Sequence, residues 1–357
     1  MKTEEKIVLE RLGWNDYFEE QFIKRENINL EAGRVVWENR GFYKVESLYG
    51  NSMAKLRGKA INEGVYPVTG DWVLFAREEG TEFLIIEKIF ERKSKISRKT
   101  AGEQSKEQIL ASNVDIVFIV TALNEDFNLR RIERYLSVVW ESGAKPVIVL
   151  TKKDLAEDFE TKLAQVELVA FNTPIVAVSS ITNENVDIIR EMVEYGETAV
   201  LIGSSGAGKS TLINSVIGEN ILKTGNIRED DGMGRHTTTS REMIFLKNGG
   251  IFIDSPGLRE IQLWAHNGVS AVFEDIESYI SKCKFKNCTH TTEPGCAVKM
   301  AIENGELSEK RYESYCKLKK EERYIAGKSD EKIRQEEKKK WKDIGKLQKM
   351  FKDRGKK

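Results

Sequence analysis

The sequence predicts a multidomain α/β protein, and three observations carry this prediction. Residues 33–92 contain short segments in which apolar and polar residues alternate. Residues 114–202 alternate apolar runs with amphipathic helical patterns, and the C-terminal part is charged, helical in pattern and interrupted by a cluster of Cys and His. A period of two is typical of half-buried strands, and strands that alternate with helices are typical of a covered parallel sheet.

Length and composition narrow the class of protein. The 357 residues are 40% hydrophobic and 32% charged, which suits two or three folded domains. No apolar run approaches the roughly 20 residues of a membrane helix, and the first residues lack the apolar core of a signal peptide. We therefore expect a cytoplasmic monomer with no membrane partner. Lys plus Arg and Asp plus Glu both number 57, which excludes a globally basic nucleic-acid binder but not local basic patches.

Residues 1–105 are predicted to form an N-terminal helix, a small barrel and a linker. The first 30 residues have the pattern of one polar helix. Five alternating segments between Gly33 and Arg92, separated by Gly-containing turns, predict an OB-fold β-barrel, although spacing alone also permits another small barrel. Residues 92–108 are polar and partly basic, which predicts a linker.

Residues 106–263 are predicted to form a parallel sheet covered by helices. The apolar runs VDIVFIVTAL, PVIVLT, PIVAV and TAVLIG alternate with two amphipathic helical patterns, each of which ends at a glycine. EMIFLKNGGIFID then predicts a hairpin with its turn at residues 248–250.

A phosphate-binding loop follows the apolar run TAVLI. GSSGAGKST matches the pattern G-x-x-x-x-G-K-[ST] and leads into the helical pattern TLINSVIG, which is the context that this motif requires. Backbone N–H groups and the helix N-terminus are expected to hold phosphates, Lys209 to reach the β- and γ-phosphates, and Ser210 to bind Mg²⁺. The candidate residues are Gly203, Ser204, Ser205, Gly206, Ala207, Gly208, Lys209, Ser210 and Thr211.

TKKD, which ends the strand PVIVLT, is a candidate base reader. The carboxylate of Asp154 can accept hydrogen bonds from N1–H and N2–H of guanine, groups that adenine does not offer together. The other residues of this motif are Thr151, which stands where Asn is commoner, Lys152 and Lys153. Ser179 and Ser180 end the next strand and are predicted to contact the guanine oxygen, unless they form an ordinary strand-end turn.

Two further motifs complete the nucleotide site. DSPG follows the last predicted strand, so Asp254 can hold Mg²⁺ and the N–H of Gly257 can bind the γ-phosphate. GRHTTTS precedes the hairpin, and one Thr of residues 237–239 is expected to bind Mg²⁺; Thr238 is our candidate. His236 is the candidate catalytic residue because Leu258 occupies the position where many GTPases place a water-orienting Gln, although His236 also fits a surface role.

The C-terminal part, residues 264–357, is predicted to be a helical zinc-binding domain with a basic tail. Three thiolates and one imidazole form a closed tetrahedral set, so one structural Zn²⁺ per chain is expected at Cys283, Cys288, His290 and Cys296. Cys316 is predicted to be a free thiol. The tail from Asp330 is either a solvated helix face or a contact for a polyanion.

The order of the motifs resembles one family. TKKD precedes GSSGAGKST, whereas an ordinary GTPase has its phosphate loop first. With the barrel, VSS, GRHTTT, DSPG and the Cys and His cluster, this order resembles the ribosome small subunit-dependent GTPase A family of circularly permuted GTPases. The resemblance implies an N-terminal OB-fold β-barrel, a circularly permuted P-loop GTPase domain and a C-terminal helical zinc-binding domain.

The resemblance also implies a function in late maturation of the small ribosomal subunit. The expected partners are that subunit and its rRNA, and the expected reaction is hydrolysis of GTP to GDP and phosphate, with Mg²⁺ bound to the GTP and with stimulation by the subunit. Two other classes stay open at this point. One is a P-loop ATPase or kinase, which TKKD disfavours; the other is a nucleotide-dependent RNA-binding switch with little intrinsic hydrolysis, which Lys209, Ser210 and Asp254 disfavour.

Overall fold

The computed structural model describes residues 3–25, 29–58, 65–78, 80–99, 107–170, 172–219, 241–254, 268–291 and 293–329. The chain divides into two compact units, Met1–Leu263 and Trp264–Lys357. The first unit holds the barrel and the nucleotide domain, and the second holds the C-terminal helices.

The first unit contains a closed five-stranded barrel. Strand β1 pairs with β2 and β4, β2 pairs with β3, and β5 joins β3 in parallel and β4 in antiparallel orientation. The interior is filled by the residues that alternate inward, such as Val35, Val45 and Phe75. The predicted OB-fold barrel is confirmed. Its strands are β1 Glu31–Asn39, β2 Phe42–Ser47, β3 Gly50–Leu56, β4 Trp72–Arg77 and β5 Leu84–Ile89.

The N-terminal segment differs from the single helix that we predicted. It forms two helices, α1 Thr3–Glu10 and α2 Asp16–Ile23. The break has a local cause: Gly13 adopts a φ of +91°, and the Asn15 side chain caps α2 by accepting a 3.1 Å hydrogen bond from the N–H of Tyr17. The break lets Trp14 and Phe18 pack against Trp72 of the barrel, with ring centroids 4.7 and 5.7 Å away. These aromatic contacts fasten the segment to the barrel.

The predicted linker over residues 92–108 is also wrong in part. Strand β6 (Lys95–Lys99) pairs in antiparallel orientation with β7 (Glu107–Ser112). Part of the basic segment that suggested a linker lies on a two-stranded ribbon, where Lys95 forms a 2.8 Å ion pair with Glu107. Ile96 of β6 and Leu110 of β7 are buried, so the charge of the segment does not distinguish a linker from a paired strand.

The nucleotide domain has a parallel sheet with one antiparallel strand. The order across the sheet is β10-β9-β8-β11-β13-β12, and all pairs are parallel except β12 with β13. Apolar side chains fill both faces, and the rings of Phe118 and Phe252 stack 5.9 Å apart. The strands are β8 Ile116–Ala122, β9 Lys145–Thr151, β10 Ile175–Ala177, β11 Thr198–Ile202, β12 Arg241–Phe245 and β13 Ile251–Asp254.

Helices cover this sheet, and the predicted hairpin is present. The helices are α3 Leu129–Ser142, α4 Phe159–Glu167, α5 Val186–Glu191 and α6 Lys209–Ile217. Helix α3 begins at the cap Asn128 and ends at Gly143, whose φ of +86° is favourable only for glycine. The hairpin β12–β13 turns at Gly249, with a φ of +87°.

A buried arginine joins the parts of the first unit. Arg34 on β1 is 1% exposed and donates to the carbonyl oxygens of Leu12, Gly70 and Asn113, the last two at 3.2 and 3.0 Å. Burial lowers the pKa of Arg34 to about 10, although Asp115 and Asp71 act to raise it. The N-terminal helices, the barrel and the first residues of the nucleotide domain therefore share one polar junction.

The second unit consists of helices and a short loop that carries Cys283, Cys288 and His290. Helices α8 and α10 are held together by Arg311, whose guanidinium donates to both carboxylate oxygens of Asp275 at 2.8 and 2.9 Å. The helices are α7 Val269–Val272, α8 Glu274–Ser281, α9 Ala297–Glu303 and α10 Glu309–Ser329. None of the helices in the described part of the chain combines the length and apolar character that a membrane span requires.

Candidate functional site

The carboxyl ends of the parallel strands bring the predicted nucleotide-binding motifs together. Thr151 ends β9, Gly203 follows β11, Asp254 ends β13 and Ser179 follows β10 by two residues. These strands are neighbours in one parallel sheet, so their carboxyl ends lie at the same edge. Motifs that are up to about a hundred residues apart in the sequence thus meet at one site.

The phosphate loop has a backbone that requires glycine. Gly203 has a φ of +149°, and a Cβ at this position would lie 2.2 Å from the carbonyl oxygen of Val120. Gly208 has a φ of +92° and precedes the first residue of α6. The loop therefore approaches strand β8 closely and then enters the helix whose N-terminus can receive phosphate.

Lys209 closes the phosphate loop. Its Nζ donates to the carbonyl oxygens of Gly203 and Ser204 at 2.7 and 2.5 Å. The ammonium group is thereby held beside the first residues of the loop, while Ser210 and Thr211 occupy the next positions of α6. Such a loop presents a positive charge and backbone N–H groups to an anion.

Thr151 connects the base reader with the phosphate loop. Its side chain is buried, and Oγ1 donates a 2.6 Å hydrogen bond to the carbonyl oxygen of Ala207. Thr151 therefore links the end of β9 to the phosphate loop.

The base reader forms a short exposed turn. Lys152 has a φ of +59°, and a single 3-10 turn, Lys153–Leu155, places the side chain of Asp154 on the surface. Lys153 is held by Glu184, with 2.5 Å between Nζ and the carboxylate, and its N–H donates to the carbonyl oxygen of Val178 at 3.2 Å. An exposed carboxylate at the sheet edge is available to a base that enters from solvent.

The strand-end serines belong to a tight turn. The N–H of Ser179 donates to the carbonyl oxygen of Glu184 at 3.1 Å, and its Oγ accepts from the N–H of Thr182 at 3.2 Å. Ser179 is fully buried, whereas Ser180 is half-buried and its carbonyl oxygen accepts from Ser215 at 3.4 Å. These bonds tie the turn to helix α6, and the contact with guanine stays a prediction.

The structure shows an ion pair beside the phosphate loop that the sequence analysis did not predict. Asp126 accepts a hydrogen bond from the hydroxyl of Ser204, and Nη1 of Arg131 lies 2.8 Å from both of its carboxylate oxygens. Burial acts to raise the pKa of Asp126, but the hydrogen bonds from Arg131 and Ser204 outweigh it, so this pKa lies below its ordinary value. The carboxylate is therefore charged, and Arg131 neutralises it next to the phosphate loop.

Asp254 occupies the end of β13 that faces the site. It pairs in register with Glu242 of β12. The other residues predicted around the γ-phosphate, His236, Thr237, Thr238, Thr239 and Gly257, lie outside the described residues, as does Leu258.

The second unit contains a candidate metal centre. The ligand atoms of Cys283, Cys288, His290 and Cys296 all lie within 4.8 Å of one another. Nδ1 of His290 lies 3.6 Å from Sγ of Cys283 and 3.4 Å from Sγ of Cys296. A tetrahedral zinc site with ordinary bond lengths places N and S atoms about 3.5 Å apart, so the donors fit such an ion. This group can hold a metal ion.

Glu293 stabilises the loop that carries His290. Its carboxylate accepts from the N–H and the hydroxyl of Thr289, at 2.8 and 2.5 Å, and from the N–H of Thr291 at 3.0 Å. Hydrogen bonds from Thr289 lower the pKa of Glu293 to about 2. The bonds hold both neighbours of His290, whose φ of +59° is uncommon for a residue with a side chain.

The comparisons with known proteins agree with this geometry. Residues 89–264 match the model of the RsgA GTPase family. The chain is 44% identical over 343 residues to a small ribosomal subunit biogenesis GTPase RsgA 1 from Oceanobacillus iheyensis, which covers 93% of this chain and 98% of that protein. The chain belongs to the RsgA GTPase family. A relative from Streptomyces avermitilis, named small ribosomal subunit biogenesis GTPase RsgA, is 41% identical over 338 residues and covers 93% and 90% of the two chains.

Solved structures show the same architecture. YjeQ from Thermotoga maritima is 28% identical, with a TM-score of 0.61, over 82% of this chain and 98% of its own. YloQ, described as a circularly permuted GTPase, is 24% identical, with a TM-score of 0.58, over 84% and 97%, and supports the fold alone. The circular permutation inferred from the order of the motifs is confirmed by the fold that the chain shares with YloQ, and as an RsgA family member the protein is a GTP hydrolase.

The sequence analysis found the motifs but not the residues that hold them in place. The missed residues are Asp126 and Arg131 beside the phosphate loop and Glu293 beside the metal centre. A weak signal existed for the first pair, because Asn124–Asp126 follow a buried strand at the edge where the nucleotide motifs end. No local pattern distinguishes Glu293 from the other charged residues of its segment.

Proposed function

We propose that this protein binds the small ribosomal subunit and acts in its late maturation as a GTP-dependent switch. The observation that carries the proposal is the convergence of a phosphate loop and a guanine-reading TKKD motif at one sheet edge, joined by the bond from Thr151 to Ala207. The names of the relatives supply the ribosomal partner. We further propose that the protein is a cytoplasmic monomer.

In this proposal each motif has one chemical task. Asp154 accepts hydrogen bonds from guanine, Lys152 lies along the base, and the Ser179–Ser180 turn contacts the guanine oxygen. The phosphate loop, residues 203–211, binds the phosphates. A resident Mg²⁺ would be held by Ser210, Thr238 and Asp254, and it would neutralise the charge that develops on the phosphates. His236 is proposed to orient the attacking water, and Gly257 to sense the γ-phosphate.

We propose that the metal of the Cys and His cluster is Zn²⁺ with a structural role. Three thiolates and one imidazole match the ligand preference of zinc, and four protein ligands leave no position for a substrate. Elemental analysis of freshly purified protein should find one zinc per chain. Cys288→Ser should unfold the C-terminal unit and leave nucleotide binding unchanged.

Nucleotide choice tests the GTPase assignment. Asp154→Asn should weaken GTP binding by about 10- to 100-fold, because a charge-assisted hydrogen bond contributes roughly 1.5–3 kcal/mol. The same variant should gain affinity for xanthosine triphosphate, whose C2 oxygen can accept from the new amide. Glu157→Gln, at an exposed position three residues later, is the matched control. Unchanged GTP affinity in Asp154→Asn would exclude the base-reader role.

Co-sedimentation tests the ribosomal assignment. The protein should sediment with small ribosomal subunits when it holds a non-hydrolysable GTP analogue, and less when it holds GDP. Gly257→Ala should remove this difference without loss of GDP binding, because the loop would no longer reach the γ-phosphate. Equal binding of wild-type protein with both nucleotides would contradict a GTP-dependent switch.

A further inference from the structure

The barrel and the nucleotide sheet are continuous through one strand. β1 of the barrel pairs in antiparallel orientation with β12, and β12 pairs with β13, which ends at Asp254. Trp37 is in register with Glu242, and Glu242 is in register with Asp254. The barrel is therefore separated from the proposed Mg²⁺-holding carboxylate by a single strand.

β12 is fastened to the barrel by few contacts. Two register pairs join it to β1: Trp37 with Glu242, and Glu38 with Arg241. Nη1 of Arg241 lies 3.0 Å from Oε2 of Glu38, with both side chains largely buried. The hydroxyl of Thr69, which is fully buried in a barrel turn, donates to the carbonyl oxygen of Arg241 at 3.2 Å. These polar contacts all meet at the first residue of β12.

The other side of β12 places two carboxylates opposite each other. Residues in register on antiparallel strands place their side chains on the same face, and like charges directly opposite one another are destabilising. Glu242 and Asp254 form such a pair. A divalent cation at Asp254 would change the charge that faces Glu242, so the pairing of β12 with β13 is sensitive to whether Mg²⁺ is bound.

We propose that Arg241 and Glu38 are positioning residues for Asp254. Their ion pair holds β12 against the barrel and so keeps Asp254 at the distance that retains Mg²⁺ in the nucleotide complex. The barrel thereby contributes to Mg²⁺ affinity without contact with the nucleotide. Coupling of this kind is reciprocal, so a bound Mg²⁺ also strengthens the junction of β12 with the barrel. The inference rests on the proposed function, in which Asp254 holds Mg²⁺.

The test measures Mg²⁺ dependence separately from nucleotide affinity. Release of a fluorescent non-hydrolysable GTP analogue from the full chain is followed at a series of free Mg²⁺ concentrations and in EDTA. Arg241→Gln and Glu38→Gln should each raise the Mg²⁺ concentration needed for half-maximal retention by about fivefold or more, the lower end of ordinary coupling. The release rate in EDTA should stay unchanged, which a general loss of folding would not allow.

Two further variants keep the test decisive. The double variant Glu38→Gln with Arg241→Gln should raise the Mg²⁺ requirement no more than the single variants do, because all three lose the ion pair and only the single variants leave an unpaired charge. Thr69→Val removes the second contact with Arg241 in an isosteric manner and should shift the Mg²⁺ dependence in the same direction. Arg57→Gln is the matched control, since it breaks barrel ion pairs with Glu78 and Glu87 at 2.8 and 2.5 Å that do not involve β12.

The outcomes separate this inference from the proposed function. Asp254→Asn must itself raise the Mg²⁺ requirement; if it does not, the role of Asp254 in the proposed function is wrong, and this inference is wrong with it. If Asp254→Asn has that effect but the Arg241, Glu38 and Thr69 variants behave like Arg57→Gln, the positioning role alone is overturned.

Discussion

Thr151 and Ala207 join the two halves of the nucleotide site: Oγ1 of Thr151 donates a 2.6 Å hydrogen bond to the carbonyl oxygen of Ala207, and both residues are buried. One residue belongs to the base reader and the other to the phosphate loop, 56 positions later in the sequence. Because the bond crosses the site, it makes the position of each motif depend on the other.

The first prediction concerns this bond. Thr151→Val should weaken GDP and GTP binding to a similar extent, because the bond that holds the phosphate loop against β9 is lost; it should also lower stability, since loss of such a buried bond costs about 1–3 kcal/mol. Thr151→Ser keeps the hydroxyl and should bind nearly as well as the wild type. Titration with a fluorescent GDP analogue measures both. A valine variant with wild-type affinity would show that the bond does not support the site.

The second prediction concerns the pair beside the phosphate loop. Arg131→Gln leaves the carboxylate of Asp126 uncompensated near the phosphates and should weaken GTP binding more than GDP binding. Asp126→Asn leaves the guanidinium of Arg131 uncompensated, so this variant should bind GTP more tightly relative to GDP. Both changes should be about two- to fivefold, because the two side chains are partly exposed.

The pH dependence of this effect follows from the lowered pKa of Asp126. A depressed folded-state pKa means that the stabilising ionised form is present above the unfolded value and is lost only as the pH falls through the folded value. The difference between Asp126→Asn and the wild type should therefore be the same at pH 6 and pH 8. Competition between GTP and GDP, measured at both pH values, gives the ratio of the two affinities for each variant. If this ratio changed in the same direction in Arg131→Gln and in Asp126→Asn, the electrostatic explanation would be refuted.

The third prediction concerns metal retention. Glu293→Gln should release the metal to a chelator about tenfold faster, because groups that orient metal ligands typically contribute this much. The carboxylate of Glu293 accepts three hydrogen bonds around His290, and an amide in its place loses at least one of them. Glu303→Gln, at the end of α9, serves as the control in the same unit. Identical release from the two variants would remove Glu293 from the support of the site.

The fourth prediction concerns hydrolysis. His236→Ala should keep GTP affinity and lose most of the stimulation by small subunits, because Leu258 cannot orient water and a supplied transition-state group is worth about 10³–10⁵ in rate. Single-turnover hydrolysis with and without subunits separates binding from chemistry. Full stimulation of the variant would assign the water-orienting role to another group.

Much of the site could be predicted because its chemistry is local in the sequence. A phosphate loop needs glycines at defined spacing between a strand and a helix, so GSSGAGKST can be recognised in the sequence. A metal site of this kind needs thiols and an imidazole within a short segment, so the Cys283–Cys296 cluster can be recognised in the same way. The five barrel strands were predictable for the same reason, since alternation with a period of two is a property of neighbouring residues.

The incorrect predictions have equally local causes. The N-terminal segment was predicted as one helix because its polarity is uniform, and the left-handed backbone at Gly13 together with the cap at Asn15 divides it. The strand β6 was predicted as a linker because its charges lack an apolar face, and only pairing with β7 gives it a partner. In both cases the average polarity of the segment hides a few residues that are buried in the fold, namely Trp14 and Phe18 in the first and Ile96 in the second.

The sequence by itself determined the family and the order of the motifs, and it predicted the phosphate loop, the base reader and the candidate metal ligands. The tertiary structure alone decided which residues support them: Ala207 under Thr151, Arg131 and Asp126 beside Ser204, Glu293 around His290, and β12 between the barrel and Asp254. The physical reason is that a chemical group is recognisable from its own type and spacing. A residue that holds a motif in place does so through a hydrogen bond or a strand pair with residues far away in the chain. Many polar side chains could make such a contact, and only the folded backbone decides which one does.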